Sequence, residues 1–184
     1  RYWRDWSSNV CSSDLRNLDL TLVNVGGLDI IDGNKKMILA IVWQLMRKYT
    51  INILTELAAS SGTSSGRSSS KQVSDPEIIA WANNQMKSAE KSGQFSSFKD
   101  PRLADGKILI DLCASIDSRV NIDPNLVAGG HNEEERLSNA KYAINIARKL
   151  GACVFLTPED IVEVKAKMIM TFCASLWVTY LHKQ

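Results

Sequence analysis

The chain has 184 residues, 45% of them apolar, with 22 basic and 20 acidic side chains and a formal net charge of +2. That length and apolar content suffice to bury one good core and part of a second. So balanced a charge gives no whole-chain field of the kind that draws proteins to nucleic acid or anionic lipid, and neither a nucleic-acid nor a membrane partner is expected. The longest largely apolar run, Met168 to Leu181, is too short to span a bilayer and reads as a buried helix.

The segment Asp5 to Leu15 resembles a translated sequencing-adapter strand, so residues 1–15 are read as an artefact and a disordered tail in which Trp3, Trp6 and Cys11 carry no functional weight. Leu20 to Val25 alternates weakly, as an extended connection does. Between Lys35 and Tyr49, Ile38, Ile41, Val42, Leu45, Met46 and Tyr49 keep helical spacing, and Asp32-Gly33-Asn34 supplies a turn in which Asp32 or Asn34 can cap the helix. From Ala58 to Ser74 the composition turns to Ser, Gly, Thr and Ala, the signature of a flexible linker and a domain boundary.

Helical signals resume at Ser74-Asp75-Pro76-Glu77, a polar cap followed by a proline in the first turn and an early acid. Ile78, Ile79, Trp81, Ala82 and Met86 form the apolar side of that helix, and Trp43 and Trp81 read as core anchors. Asp105-Gly106-Lys107 opens a helix that buries Ile108, Leu109, Leu112 and Ile116. Asn132 caps a third helix, which starts with Glu133, Glu134 and Glu135 at the positive end of its dipole and carries Leu137, Ala140, Ile144 and Ala147 as its stripe. Lys149-Leu150-Gly151 ends it, Thr157-Pro158-Glu159-Asp160 starts a short helix, and the last helix is apolar nearly all round from Ile169 to Tyr180, which places it at the centre of a bundle. The fold class is therefore all-α.

One stretch occurs twice. Asp29 to Leu39 returns 131 residues later as Asp160 to Met170, and both copies run on into an apolar helix. The second copy is preceded by a long patterned segment and the first is not. The expected organisation is the C-terminal part of one domain at residues 16–57, the linker at 58–74 and a complete second domain at 75–184.

Chemistry is sparse. The turn from Gly27 to Lys35 departs from a phosphate loop by one residue between its glycines, by Asn34 before the lysine and by two aspartates that would repel a phosphate. His131 and His182 are the only histidines, neither at ligand spacing from a cysteine or carboxylate pair, and Glu133 to Glu135 reads as a solvated helix start. Cys11, Cys113, Cys153 and Cys173 form no C-x-x-C pair, and the last three lie in apolar patterns, so buried reduced thiols are expected. No catalytic residue, cofactor or metal is expected.

Several segments carry a family resemblance. Leu22 to Gly27, Asp29 to Lys35 and the Trp43-Gln44-Leu45-Met46-Arg47 core look like the end of a calponin-homology domain in a tandem actin-binding region. Ser97 to Asp100, Asn139 to Ile144, Ala147 to Gly151 and Pro158 to Val164 resemble the fimbrin, or plastin, family, in the end of its third and all of its fourth calponin-homology domain. Lys165-Ala166 departs from that pattern, which commonly has asparagine followed by proline or glutamine.

The resemblance implies a cytoplasmic, non-catalytic actin crosslinker of the actin cytoskeleton, with calcium-binding EF-hands elsewhere in the protein. It implies an actin-facing surface on the last helix of the earlier domain and the first helix of the later one. Carried over, the candidates are Asp32, Lys35, Lys36, Gln44, Arg47 and Lys48 in the former and Glu77, Asn84, Lys87 and Lys91 in the latter. The alternative is a regulatory or scaffold module that binds another protein with little actin contact. A truncated first domain is also expected to leave the Lys35 to Tyr49 helix with an apolar face and so to cause self-association.

Overall fold

Every regular element among the described residues, which are 27–60, 72–117 and 119–183 of a computed structural model, is helical. The α-helices are α1 (Gly27–Ile31), α2 (Lys35–Ser60), α3 (Asp75–Ser88), α4 (Lys107–Ile116), α5 (Glu133–Leu150), α6 (Pro158–Val162) and α7 (Ala166–Lys183), with 3₁₀ turns at Pro101–Asp105 and Pro124–Leu126. Residues 1–15, the Leu20 to Val25 connection and most of the expected linker lie outside the described residues. The chain divides into two compact units, Arg1–Tyr49 and Thr50–Gln184.

The sequence repeat has a physical form in hydrogen bonds. In the first unit the N–H groups of Asp32, Gly33 and Asn34 donate to Leu28, Ile30 and Asp29 carbonyls at 2.8, 3.2 and 2.8 Å, and Ile38 donates to Asn34 at 3.0 Å. In the second unit Glu163, Val164 and Lys165 donate to Glu159, Ile161 and Asp160 at 2.9, 3.0 and 2.9 Å, and Ile169 donates to Lys165 at 3.1 Å, the same pattern shifted by one repeat. Side chains follow: Asn34 Nδ2 donates to Asp29 Oδ1 at 3.0 Å, and Lys165 Nζ to Asp160 Oδ1 at 2.8 Å. Asn34 thus turns its amide back to α1 while its carbonyl starts α2. The copies differ at the left-handed position, where Gly33 has φ 72° and Val164 has φ 51°. Glycine adopts that geometry freely, whereas a β-branched residue is strained there.

Helix α2 runs to Ser60, past the expected end near Tyr49 and into the stretch read as linker. Its continuation has a cause in packing, because Ile51, Leu54 and Ala58 are buried, the first two within the core of the second unit. Two alanines at 58 and 59 favour helix as readily as linker. The chain re-emerges beside the same turns: the Val73 N–H donates to Thr55 Oγ1 at 3.1 Å, and Gln72 Nε2 to Asn52 Oδ1 at 3.3 Å.

The second unit is built around α7, which is buried continuously from Ile169 to Trp177. Its polar side chains are satisfied, with Thr171 and Thr179 donating to the carbonyls of Lys167 and Ser175 at 2.9 Å and Ser175 to Cys153 at 2.7 Å. Helix α3 packs on α7 and α4, and α5 on α4 and α6. Trp81 of α3 stacks on Trp177 with centroids 5.2 Å apart and planes 4° from parallel, which fits the anchor role expected of it. Cys113 and Cys173 are buried, and burial pushes the Cys173 thiol up to about 12. Cys153 is exposed, contrary to expectation, because it lies in the irregular stretch after α5 and no helix face carries it inward.

Caps begin α3, α5 and α6 where the sequence places them. Ser74 and Glu77 form a capping box on α3, Asn132 Oδ1 accepts from the Glu135 N–H at 2.8 Å on α5, and Thr157 and Asp160 box α6. Gly151 closes α5 at φ 94°. The connection between α4 and α5 is irregular but tethered. Lys107 Nζ donates to Gly129 O at 2.8 Å, Arg136 Nε to Gly130 O at 3.0 Å, and the Asp123 N–H to the Tyr142 hydroxyl at 3.2 Å. Its deepest tether is the fully buried Asn139, whose Nδ2 donates to Asp105 O and Ala128 O at 2.9 and 3.1 Å while Oδ1 accepts from the Ala128 N–H at 2.8 Å.

Candidate functional site

The two groups of candidate residues fall in different units. In the first, Asp32, Lys35 and Lys36 are exposed at the turn and the start of α2, and Gln44, Arg47 and Lys48 are half-buried further along it. At about 100° per residue, Lys36, Gln44, Arg47 and Lys48 occupy one third of the helix circumference. Leu39, Val42, Leu45 and Tyr49 occupy the opposite side, and all four are exposed, Leu39 to 65%. The helix is thus cationic on one face and exposed apolar on the other. Trp43 is half-buried.

In the second unit Ile78, Ala82 and Met86 turn inward from α3, and on the outer side Glu77 and Asn84, seven residues apart, lie almost in line. Their side chains have different duties. The Glu77 carboxylate accepts from the N–H of Ser74 at 2.7 Å and from its hydroxyl, so it closes the helix N-terminus. Lys91, beyond the helix end, is drawn to Asp111 of α4 at 4.0 Å. Burial raises the pKa of Asp111, nearby Lys91 lowers it and Asp105 adds a further upward push. Asn84 and Lys87 are exposed, and Lys87 makes no ion pair among the described residues. The outward polar surface of α3 is therefore Asn84 and Lys87 flanking the exposed Ala80, with Glu77 and Lys91 held at its ends.

The residues weighed for chemistry have structural work. The His131 N–H donates to Glu135 Oε2 at 2.9 Å, which is the largest cause holding the Glu135 carboxyl below its ordinary value. His182 is exposed near the end of α7. Asp117 ties the end of α4 to the end of α7: Arg119 bonds it at 2.9 Å and Lys183 at 3.0 Å, and they hold its carboxyl well below the usual range, Arg119 foremost. Among the described residues no helix is long and apolar enough to cross a membrane.

A basic pair on α5, Lys141 and Arg148, was not among the sequence candidates. Both border a cleft against α6. Their seven-residue spacing on one helix face was the available signal.

Comparison with known proteins places the chain. Residues 72–182 match the calponin homology (CH) domain family, beginning inside the stretch read as linker. Fimbrin-3 of Arabidopsis thaliana is 41% identical over 169 residues, which is 92% of this chain and 22% of that protein. Fimbrin of Saccharomyces cerevisiae is 44% identical over 156 residues, 85% of this chain and 23% of its own length. The crystal structure of the actin-crosslinking core of Schizosaccharomyces pombe fimbrin superposes with a TM-score of 0.70 at 37% identity, covering 93% of this chain and 33% of that one. The chain thus spans under a quarter of the length of these two curated relatives. With more than half of its residues in the matched domain and fimbrins as its relatives, the chain belongs to the calponin homology domain family, in its fimbrin and plastin branch.

Proposed function

We propose that this chain supplies an actin-filament-binding surface to a crosslinking protein of the fimbrin type, in the cytoplasmic actin cytoskeleton, and acts without catalysis. The observation that carries the reading is the likeness to the actin-crosslinking core of fission-yeast fimbrin over 93% of this chain. The outer face of α3, with Asn84 and Lys87 exposed, is the contact favoured in the second unit, because filaments are acidic and these side chains are not committed to the fold. Lys35 and Lys36 are the corresponding exposed cations of the first unit, with Asp32 in the preceding turn and Gln44, Arg47 and Lys48 further along α2. The exposed Leu39, Val42, Leu45 and Tyr49 favour self-association of the chain taken alone.

Co-sedimentation with actin filaments over a salt series tests the reading, with a filament-free control that also reports self-association. Saturable binding that weakens with salt and falls several-fold in Lys87→Glu is expected. A folded, soluble chain that stays in the supernatant would overturn it in favour of a scaffold module.

A further inference from the structure

The geometry points to a second, separate binding site: the cleft between α5 and α6, taking a short acidic peptide segment with an apolar side chain between its carboxylates. The cleft has a volume of about 240 Å³ and is open to solvent on one side. Its floor is apolar, made by Ile144 and Leu156, each 4% exposed, with the ring of Pro158. Its rim is polar and positive, with Lys141, Asn145 and Arg148 on the α5 side.

Three features select the occupant. First, Lys141 and Arg148 stand seven residues apart on one face, which separates them by about 10.5 Å along the helix axis, with Asn145 between them. Carboxylates three residues apart in an extended polyproline-type segment recur on one side at about 9.3 Å, close to that spacing. Second, neither cation makes an ion pair among the described residues. Glu159, the residue after Pro158, interacts with Lys141, and its carboxyl is held low by its own backbone amide and Thr157 before Lys141 contributes. Arg148 is therefore the principal anchor. Third, aliphatic atoms of Ile144, Leu156 and Pro158 line the cleft alongside the two charges, and a simple anion would leave them uncovered whereas an apolar side chain would cover them. Neighbouring acids are occupied elsewhere: Asp160 and Glu163 both pair with Lys165, at 2.8 and 3.0 Å.

The test uses the full chain and a fluorescent synthetic peptide, blocked at both ends, with two glutamates three residues apart and a leucine between them. Anisotropy should rise saturably and weaken with salt. Arg148→Glu replaces one exposed attraction by a repulsion and should weaken binding roughly tenfold, whereas Lys99→Glu, the same charge change outside the cleft, should leave it unchanged. Replacing the peptide's leucine by serine should cost a similar factor, and the backbone amides of Ile144, Asn145, Leu156 and Thr157 should shift on binding. Equal weakening by Arg148→Glu and Lys99→Glu would reduce the effect to whole-molecule charge and overturn the assignment. So would a titration that fails to saturate at millimolar peptide, or shifts confined to residues outside the cleft. The readout needs no actin, so its failure and a failure of filament binding are separable.

Discussion

Asn139 offers the sharpest test of how this fold holds its long α4 to α5 connection. It is fully buried, and its three hydrogen bonds, at 2.8, 2.9 and 3.1 Å, reach backbone groups of Ala128 and Asp105 that no helix or sheet serves. Asn139→Ala removes all three and leaves one N–H and two carbonyls without that partner. At a net contribution of about 1 kcal/mol per bond, the loss is about 3 kcal/mol. Water entering a polar cavity would recover part of it, and the missing side-chain volume would add to it. Against a typical stability of about 5–15 kcal/mol this is a large fraction. Urea unfolding followed by far-ultraviolet circular dichroism and by the fluorescence of Trp81 and Trp177 should show a lower midpoint at similar slope, and hydrogen exchange at the Ala128 amide should accelerate. Asn139→Asp sharpens the argument, since a carboxylate keeps the acceptor for the Ala128 N–H but faces two carbonyls where Nδ2 donated. Its folded-state pKa would be raised, so the folded state binds the proton more tightly and the variant's stability falls as pH rises through the acid range. A loss below about 1 kcal/mol in Asn139→Ala would refute the view that this residue pins the connection.

Two further perturbations probe backbone and charge. Gly151 has φ 94° and a Cβ there would touch nothing within 4 Å, so Gly151→Ala should cost about 1 kcal/mol, the left-handed penalty less the gain from a stiffer unfolded chain; thermal unfolding showing no loss would mean the α5 terminus relaxes freely. Burial chiefly raises the Asp111 pKa, so its destabilising ionisation sets in as pH rises above the ordinary carboxylate value of 3.8; Asp111→Asn should stabilise the chain at neutral pH and lose that advantage in acid, and a variant less stable at neutral pH, with the loss vanishing in acid, would show that Lys91 rather than burial governs the site.

Helix starts were legible in the sequence because capping is local chemistry. Ser74 with Glu77, Asn132 with Glu135 and Thr157 with Asp160 each lie three residues apart, and every one forms the bond its spacing suggests. The repeat was legible for a related reason: its hydrogen bonds span at most five residues, so similar short sequences reproduce them. Asn139 was illegible. An asparagine amid polar helical residues looks solvent-facing, and its partners lie 34 and 11 residues away. The extension of α2 was hidden likewise, since burial of Ile51 and Leu54 depends on elements packed from much later in the chain.

The same distinction sorts the candidate contact residues of α3. Glu77 is committed to Ser74, a partner three residues away that the capping pattern already names, so its part in closing the helix could have been argued from sequence. Lys91 is committed to Asp111, twenty residues on, and only the packing of α4 against α3 reveals it. Asn84 and Lys87 remain because, among the described residues, neither kind of partner holds their side chains. A contact surface is in this sense what the fold leaves unused. Charge reversal at Lys87 should therefore weaken filament binding with little change in stability, since the fold makes no use of that charge. Reversal at Lys91 should disturb both, because it sets a second carboxylate against the half-buried Asp111.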